Sequence, residues 1–275
     1  MLSKKQFFQK YSIGTDEFQE TGLQWNELKK IHNDYLLQKP LLEPVAGLLV
    51  GWLRLSPQCH AISWRIKNQD HLIEKIIRLS KEKHEPFVTL NTYTEKLNDL
   101  IGVRLIHKFK EEWENIHDWI ILNLPIVGEP EAHVHKLDSQ EMIADFEKKG
   151  IKIKIKEVGY RSLHYNTNFA ISKKHYNAEI QVRTLYEEAW GEVDHAIRYP
   201  LDQGNARLNQ AFEKASCAAG LADGLGTLAK LYLDEKNLKK FKTREAKKKR
   251  VTILTKIENT HQSIEHFINE IKNFI

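Results

Sequence analysis

Residues 100–107, Leu-Ile-Gly-Val-Arg-Leu-Ile-His, form a near-continuous apolar run. A run of this length reads as a strand buried on both faces, which other elements must cover. The signals around it alternate. Residues 60–67 read as a strand and 69–81 as an amphipathic helix; 111–122 read as helical and 132–137 as a strand. Residues 151–156 alternate Ile and Lys strictly, the period of a half-exposed strand. Segments 162–171 and 178–183 complete the strands, and 185–198 is a strong helix. The first 55 residues read as helical. Leu23, Trp25, Leu28 and Ile31 recur at near-helical spacing, and Leu48, Leu49, Val50, Trp52, Leu53 and Leu55 suggest a buried patch. After Gly204 the pattern is helical to the end. The expected organisation is an α+β core over 56–203, a helical extension over 1–55 and a helical region over 204–275.

Composition narrows the class. The chain has 275 residues, 41% hydrophobic and 29% charged, which excludes collagen-like, mucin-like and wholly disordered readings. Cys59 and Cys217 form no CxxC pair. That argues against a disulfide framework and a cysteine-rich zinc site, and suits a reducing compartment. The net charge of +5 fits anionic ligands such as nucleotides or RNA. The start, MLSKKQFFQKYS, lacks the apolar run of a signal peptide. The most apolar stretch, 41–55, is broken by Glu43, Pro44 and Arg54 and is too short to span a bilayer. A cytoplasmic protein without a membrane partner is expected.

Four segments concentrate polar residues at strand edges. Arg65 and Lys67 share a strand face, and Lys75 and Arg78 share a face of the next helix. Four cations from a strand and a helix suit a polyphosphate. Asp99 stands just before the buried strand, where a metal-binding carboxylate is usefully placed. Lys156-Glu157-Val158-Gly159-Tyr160-Arg161-Ser162-Leu163-His164 offers a glycine for an unusual backbone shape, a ring for stacking and basic groups for phosphates. Glu179, Gln181 and Arg183 lie on one face of a strand, with Ile180 and Val182 on the other. A buried acid there needs a partner or a metal.

Taken in order, these segments resemble the motifs of RelA/SpoT-type alarmone synthetases. Gly159-Tyr160-Arg161-Ser162-Leu163-His164, Glu179-Ile180-Gln181-Val182-Arg183-Thr184 and Trp190-Gly191-Glu192-Val193-Asp194-His195 carry the likeness, with Asp99 to Arg104 and the cations from Arg65 to Arg78. The resemblance implies a mixed, mostly antiparallel sheet with flanking helices, related to nucleotidyltransferases. It implies transfer of the β,γ-pyrophosphate of ATP to the 3′ hydroxyl of GDP or GTP, giving (p)ppGpp and AMP. By the same resemblance Arg65 and Arg104 would sandwich the adenine, and Lys67, Lys75 and Arg78 would hold the ATP phosphates. Asp99 and Glu179 would bind Mg²⁺, with Glu179 as general base. Tyr160 would stack on guanine; Lys156, Arg161, His164 and Gln181 would serve the acceptor. Two positions depart from the family pattern: Val158 and Glu188 stand where members often carry Asn. Both are acceptor-side, so the acceptor stays open among guanosine nucleotides, another nucleotide and tRNA. A toxin-type member that pyrophosphorylates the 3′ end of tRNA, and an inactive nucleotide- or RNA-binding regulator, are the alternatives.

The remaining signals are weaker. Residues 236–250 hold nine basic residues and one acid, a solvated face or an RNA contact. His133 and His135 read as surface histidines, and the pair His117-Asp118 as surface rather than as a hydrolase signature. Gly220, Gly224 and Gly226 suggest an interrupted helix. Leu221, Leu225, Leu228, Leu231, Ile253, Ile257, Ile264, Phe267 and Ile271 could form an apolar seam that assembles subunits into an oligomer such as a tetramer. No hydrolase signature is evident, so a synthetase without hydrolase activity is expected.

Overall fold

The computed structural model describes residues 1–83, 87–157, 159–171, 174–198, 205–240 and 243–274. At the N-terminus the Ser3 hydroxyl accepts the Gln6 N–H at 3.3 Å, and the Gln6 side chain accepts the Ser3 N–H at 3.1 Å. This reciprocal cap starts helix α1 (Lys4–Tyr11), followed by α2 (Thr15–Glu20) and α3 (Trp25–Leu53). Pro40 and Pro44 each remove a backbone donor from α3. The helix survives because one stripe, including Leu28, Ile31, Tyr35, Leu42, Leu49 and Leu53, is buried along its length. The expected patch over 48–55 is only half buried. Leu48 is 58% exposed and Trp52 is exposed too, because a helix can turn only one stripe inward; Leu55, past the helix end, is also exposed.

The chain continues as β1 (Ala61–Ile66), α4 (Gln69–Lys83), α5 (Tyr93–Lys96) and β2 (Ile101–His107). A 3₁₀ turn (Lys110–Glu112), α6 (Trp113–Asn123), β3 (Glu131–Val134), α7 (Gln140–Lys148) and β4 (Lys152–Ile155) follow. Then come β5 (Ser162–Ile171), β6 (Lys174–Thr184), α8 (Leu185–Arg198), α9 (Ala206–Leu238) and α10 (Arg244–Phe274). The six strands lie in the order β1-β2-β6-β5-β3-β4. Strand β2 has a neighbour on each side, and Ile101, Val103 and Leu105 are fully buried, as its apolar run requires. The fold is therefore α+β, a mixed sheet with flanking helices.

Strands β3 and β4 pair in parallel, Glu131 opposite Lys152 and Val134 opposite Ile155. Parallel neighbours need a crossover, and α7 supplies it. Sequence reading assigned no helix there. The only buried residue of α7 is Phe146, too short an apolar stripe to show as periodicity, and the helix starts on Ser139, whose hydroxyl accepts the Met142 N–H at 3.3 Å. Helix α8 has the bounds expected of it. Thr184 caps it: its hydroxyl accepts the Glu187 N–H at 3.2 Å, while the Glu187 carboxylate accepts the Thr184 N–H at 2.9 Å.

The chain divides into two compact units. The first comprises Met1–Leu105, Trp119–Pro130 and His164–Gln181; the second comprises Ile106–Asp118, Glu131–Leu163 and Val182–Ile275. In the first, α3 and α4 bury their apolar stripes, and buried tyrosines tie elements together. The Tyr35 hydroxyl donates to the Lys67 carbonyl at 2.8 Å, and that of Tyr93 to Asp34 at 2.7 Å. In the second, α9 packs on α10 around Leu228, Leu231, Ile257 and Ile264, with Leu221 and Ile253 against them. Most of the proposed subunit seam is thus closed within the chain; Leu225 is exposed, and the side chains of Phe267 and Ile271 lie outside the described residues. Helix α9 runs unbroken through Gly220, Gly224 and Gly226, correcting the expected interruption. A side chain at Gly224 would sit 3.3 Å from Ile264, so this glycine lets α10 approach.

Candidate functional site

The site residues fall into two groups, one in each unit. In the first unit, Asp99 lies at the entry to β2 under two lysines. Lys67 Nζ is 2.6 Å from Asp99 Oδ2, and Lys75 Nζ is 2.9 Å from Oδ1. Lys67 is held by its backbone: its N–H donates to the Leu100 carbonyl at 3.0 Å, and its carbonyl accepts from Tyr35. Burial would raise the Asp99 carboxyl, but the two lysines outweigh it and hold it below the usual carboxylate range. Burial depresses Lys67, with Asp99 opposing. Glu74, not anticipated from sequence, stands close enough to feel both lysines.

Glu179 projects from β6 beside its strand neighbour. Gln181 donates to it, and His164 Nδ1 of β5 is 3.6 Å from its second oxygen. Burial pushes Glu179 up, yet the His164 pair, Gln181 and the charge of Lys75 hold it well below the ordinary range. Lys75 therefore acts on both carboxylates. Arg65 lies along Gly102 of β2, with its Cγ 3.6 Å from where a glycine side chain would begin. Arg104 is two residues further on the same face of β2. Arg78 reaches this group only through Glu74 among its ion pairs. It is 51% exposed and pairs with Glu82 at 3.1 Å and Glu74 at 3.5 Å on its own helix.

Asp99 and Glu179 suit a magnesium ion: both are oxygen donors held ionised, beside lysines, an amide and an imidazole. Among the described residues no three His, Cys, Asp or Glu side chains form a metal-sized group. An ion there would need ligands from the substrate.

The second unit carries Tyr160. Its ring lies 4.7 Å from the guanidinium carbon of Arg183, which also donates to the Tyr160 hydroxyl. The rings of His133 and Trp190 stand at 5.5 and 6.5 Å. Arg183 Nη1 donates to Glu188 at 3.0 Å, so the carboxylate expected near the acceptor is spent on this arginine. Lys156 is half-buried, its N–H donating to the Val134 carbonyl at 2.8 Å; Val158 lies outside the described residues.

Arg161 contradicts its expected role. It is 5% exposed, its Nε reaches both Asp138 oxygens at 2.8 and 2.9 Å, and its Nη1 donates to Ser216 at 2.7 Å. Gly159, two residues back, completes this lock. Gly159 has φ +89°, the Ser216 hydroxyl donates to its carbonyl at 2.6 Å, and a side chain there would fall 2.3 Å from Ser216 Oγ. Nothing in the local pattern pointed to Asp138 or to Ser216, which is 55 residues from Arg161. The histidines also need correction. His135 is fully buried, and His133 largely so beside Tyr160. His117 is buried against Trp113, while Asp118 pairs with Lys149 at 2.8 Å. In the basic run, Lys239 and Arg250 pair with Glu235, and Lys249 with Glu245.

One unit thus carries lysine-covered carboxylates and the other an arginine-backed aromatic ring, in a chain of α+β fold. A region found in RelA / SpoT proteins matches residues 64–204, and the chain belongs to that family. It is 25% identical over 164 residues to GTP pyrophosphokinase YjbM of Bacillus subtilis, covering 56% of this chain and 66% of that protein, just under two thirds of its length. It is 27% identical over 178 residues to GTP pyrophosphokinase YwaC of the same organism, covering 63% and 70%. The crystal structure of small alarmone synthetase 1 from Bacillus subtilis shares the fold, with a TM-score of 0.52 at 21% identity over 70% of this chain and 91% of that one.

Proposed function

We propose that the protein transfers the pyrophosphate group of ATP to the 3′ hydroxyl of GDP or GTP, making (p)ppGpp and AMP. The observation that carries this reading is the pair of ionised carboxylates, Asp99 and Glu179, both under the charge of Lys75, at the positions the family motifs mark. Pyrophosphoryl transfer asks a protein for charge neutralisation and alignment more than covalent chemistry. Lys67 and Lys75 would turn from Asp99 to the phosphates as a nucleotide enters. Asp99 and Glu179 would hold Mg²⁺, which supplies charge neutralisation on those phosphates. Arg65 and Arg104 supply planar cations for the adenine. Tyr160 supplies the stacking ring for the acceptor base. Glu179 would take the acceptor's proton as general base, with His164 Nδ1 3.6 Å from its carboxylate.

Synthesis without hydrolysis is part of the proposal. Its support is that His117 is buried on Trp113 and Asp118 is tied to Lys149, which leaves that pair unsuited to a metal. No helix among the described residues is long and apolar enough to cross a membrane. Purified protein, labelled ATP and Mg²⁺ should be incubated with GDP, GTP or tRNA. Label on the guanosine nucleotide supports the proposal; label on tRNA, or no transfer with any acceptor, refutes it.

A further inference from the structure

Arg183 is a buried, paired cation of the acceptor half, and the roles above leave it unused. It is 3% exposed on β6. A guanidinium buried this deeply must be paired, and Glu188 on α8 provides the counter-charge at 3.0 Å. Its other side faces Tyr160 twice, by the ring at 4.7 Å and by the hydroxyl. Contact with both ring and hydroxyl restrains the plane of the ring as well as its place. A side chain at Gly191 on α8 would begin 2.8 Å from Arg183 Nη1. Since Arg183 is clamped at both ends, it could not yield cheaply to that intrusion. Gly191 therefore makes room for the guanidinium, which gives a function to a motif glycine that lies in a helix and bears no turn.

We propose that Arg183 is a positioning residue for the acceptor: with Glu188 behind it and Gly191 making space, it sets the Tyr160 ring as a rigid stacking platform. A cation against one side of the ring also draws π density away from it. That favours stacking on an electron-rich purine, and guanine is the most electron-rich of the bases. Glu188 thus acts on the acceptor through Arg183 and not by reading the edge of the base. The inference rests on the proposed acceptor role of Tyr160.

The test measures GDP binding by calorimetry, and KM for GDP and for ATP, in the full chain with Mg²⁺. The variants are Tyr160→Ala, Arg183→Gln, Gly191→Ala and the neutral pair Arg183→Gln/Glu188→Gln, which leaves no buried charge unpaired if the single variant folds poorly. Loss of the support should weaken GDP binding and raise its KM roughly tenfold, leaving KM for ATP within about twofold. Gly191→Ala, which changes no charge, should shift the same parameter in the same direction. In the Tyr160→Ala background, removing Arg183 should add less than about twofold, because the two act as one unit. Unchanged GDP binding in a folded Arg183 variant overturns the inference, as do equal rises in both KM values or additive effects with Tyr160→Ala. If Tyr160→Ala itself leaves GDP binding unchanged, the acceptor reading falls and this inference falls with it. If Tyr160→Ala weakens binding and the Arg183 variants do not, only the inference fails.

Discussion

Asp223 offers a direct measure of how this structure handles charge. It is 2% exposed on α9, and the Thr184 hydroxyl donates to its Oδ2 at 2.7 Å. The same Thr184 binds the Glu187 carboxylate through its N–H, so two acids meet at one helix cap. Burial, and then the Glu187 charge, push the Asp223 carboxyl up to about 7; Thr184, Lys110 and Arg161 only partly oppose this. Below about pH 4 the group is protonated in the folded and unfolded chain alike. Between pH 4 and 7 the unfolded chain releases its proton while the folded chain retains it, so stability falls as pH rises. Above 7 both are charged and the loss is complete. A shift of this size corresponds to about 4 kcal/mol at most. Asp223→Asn keeps the acceptor for Thr184 and removes the charge. Its stability relative to wild type should be near zero at pH 4, climb to about 2–4 kcal/mol by pH 7.5, and stay level above. In melting temperature that is a gain of roughly 5–10 °C, read by calorimetry across the pH series. A difference that does not vary with pH, or a variant less stable than wild type at pH 8, would refute the reasoning.

Glu179→Gln should lower synthesis by at least about a thousandfold with a melting temperature within a few degrees of wild type; turnover near wild type sinks its assignment. Gly159→Ala should cost about 2–4 kcal/mol, since it combines a left-handed φ with a 2.3 Å intrusion on Ser216; denaturant unfolding checks this, and Ser216→Gly should recover part of the loss. Arg161→Met should destabilise by about 3–5 kcal/mol by stranding Asp138. Arg161 and Lys110 hold the Asp138 carboxyl down against burial, so the stability it contributes is present above its unfolded value near 4 and lost as pH falls; acid unfolding of Asp138→Asn should show a shallower slope than wild type.

Much of the fold was legible in the sequence because its elements are local. The run over 100–107 could only be an inner strand, and 185–198 carries a strong helical pattern that helix α8 matches. Helix α7 was not legible, since one buried phenylalanine makes no period. The acidic and basic composition of the first half of the site was also readable, because Lys67 and Asp99 stand at strand ends, Lys75 on a helix face and Glu179 on one face of a strand.

The sequence by itself determined which residue types stand at the site and on which faces of their strands. Only the tertiary structure decided what each one is for. Tyr160 and Arg161 are neighbours in one motif, yet one is a half-buried ring set against an arginine and the other a buried lock. The difference comes from partners far along the chain: Arg183, 23 residues from Tyr160, and Ser216, 55 residues from Arg161. Periodicity reports the side of an element that a residue occupies. It carries no information about which distant group will meet it there, and in a buried setting that meeting determines whether a charge is available to a ligand or consumed by the fold.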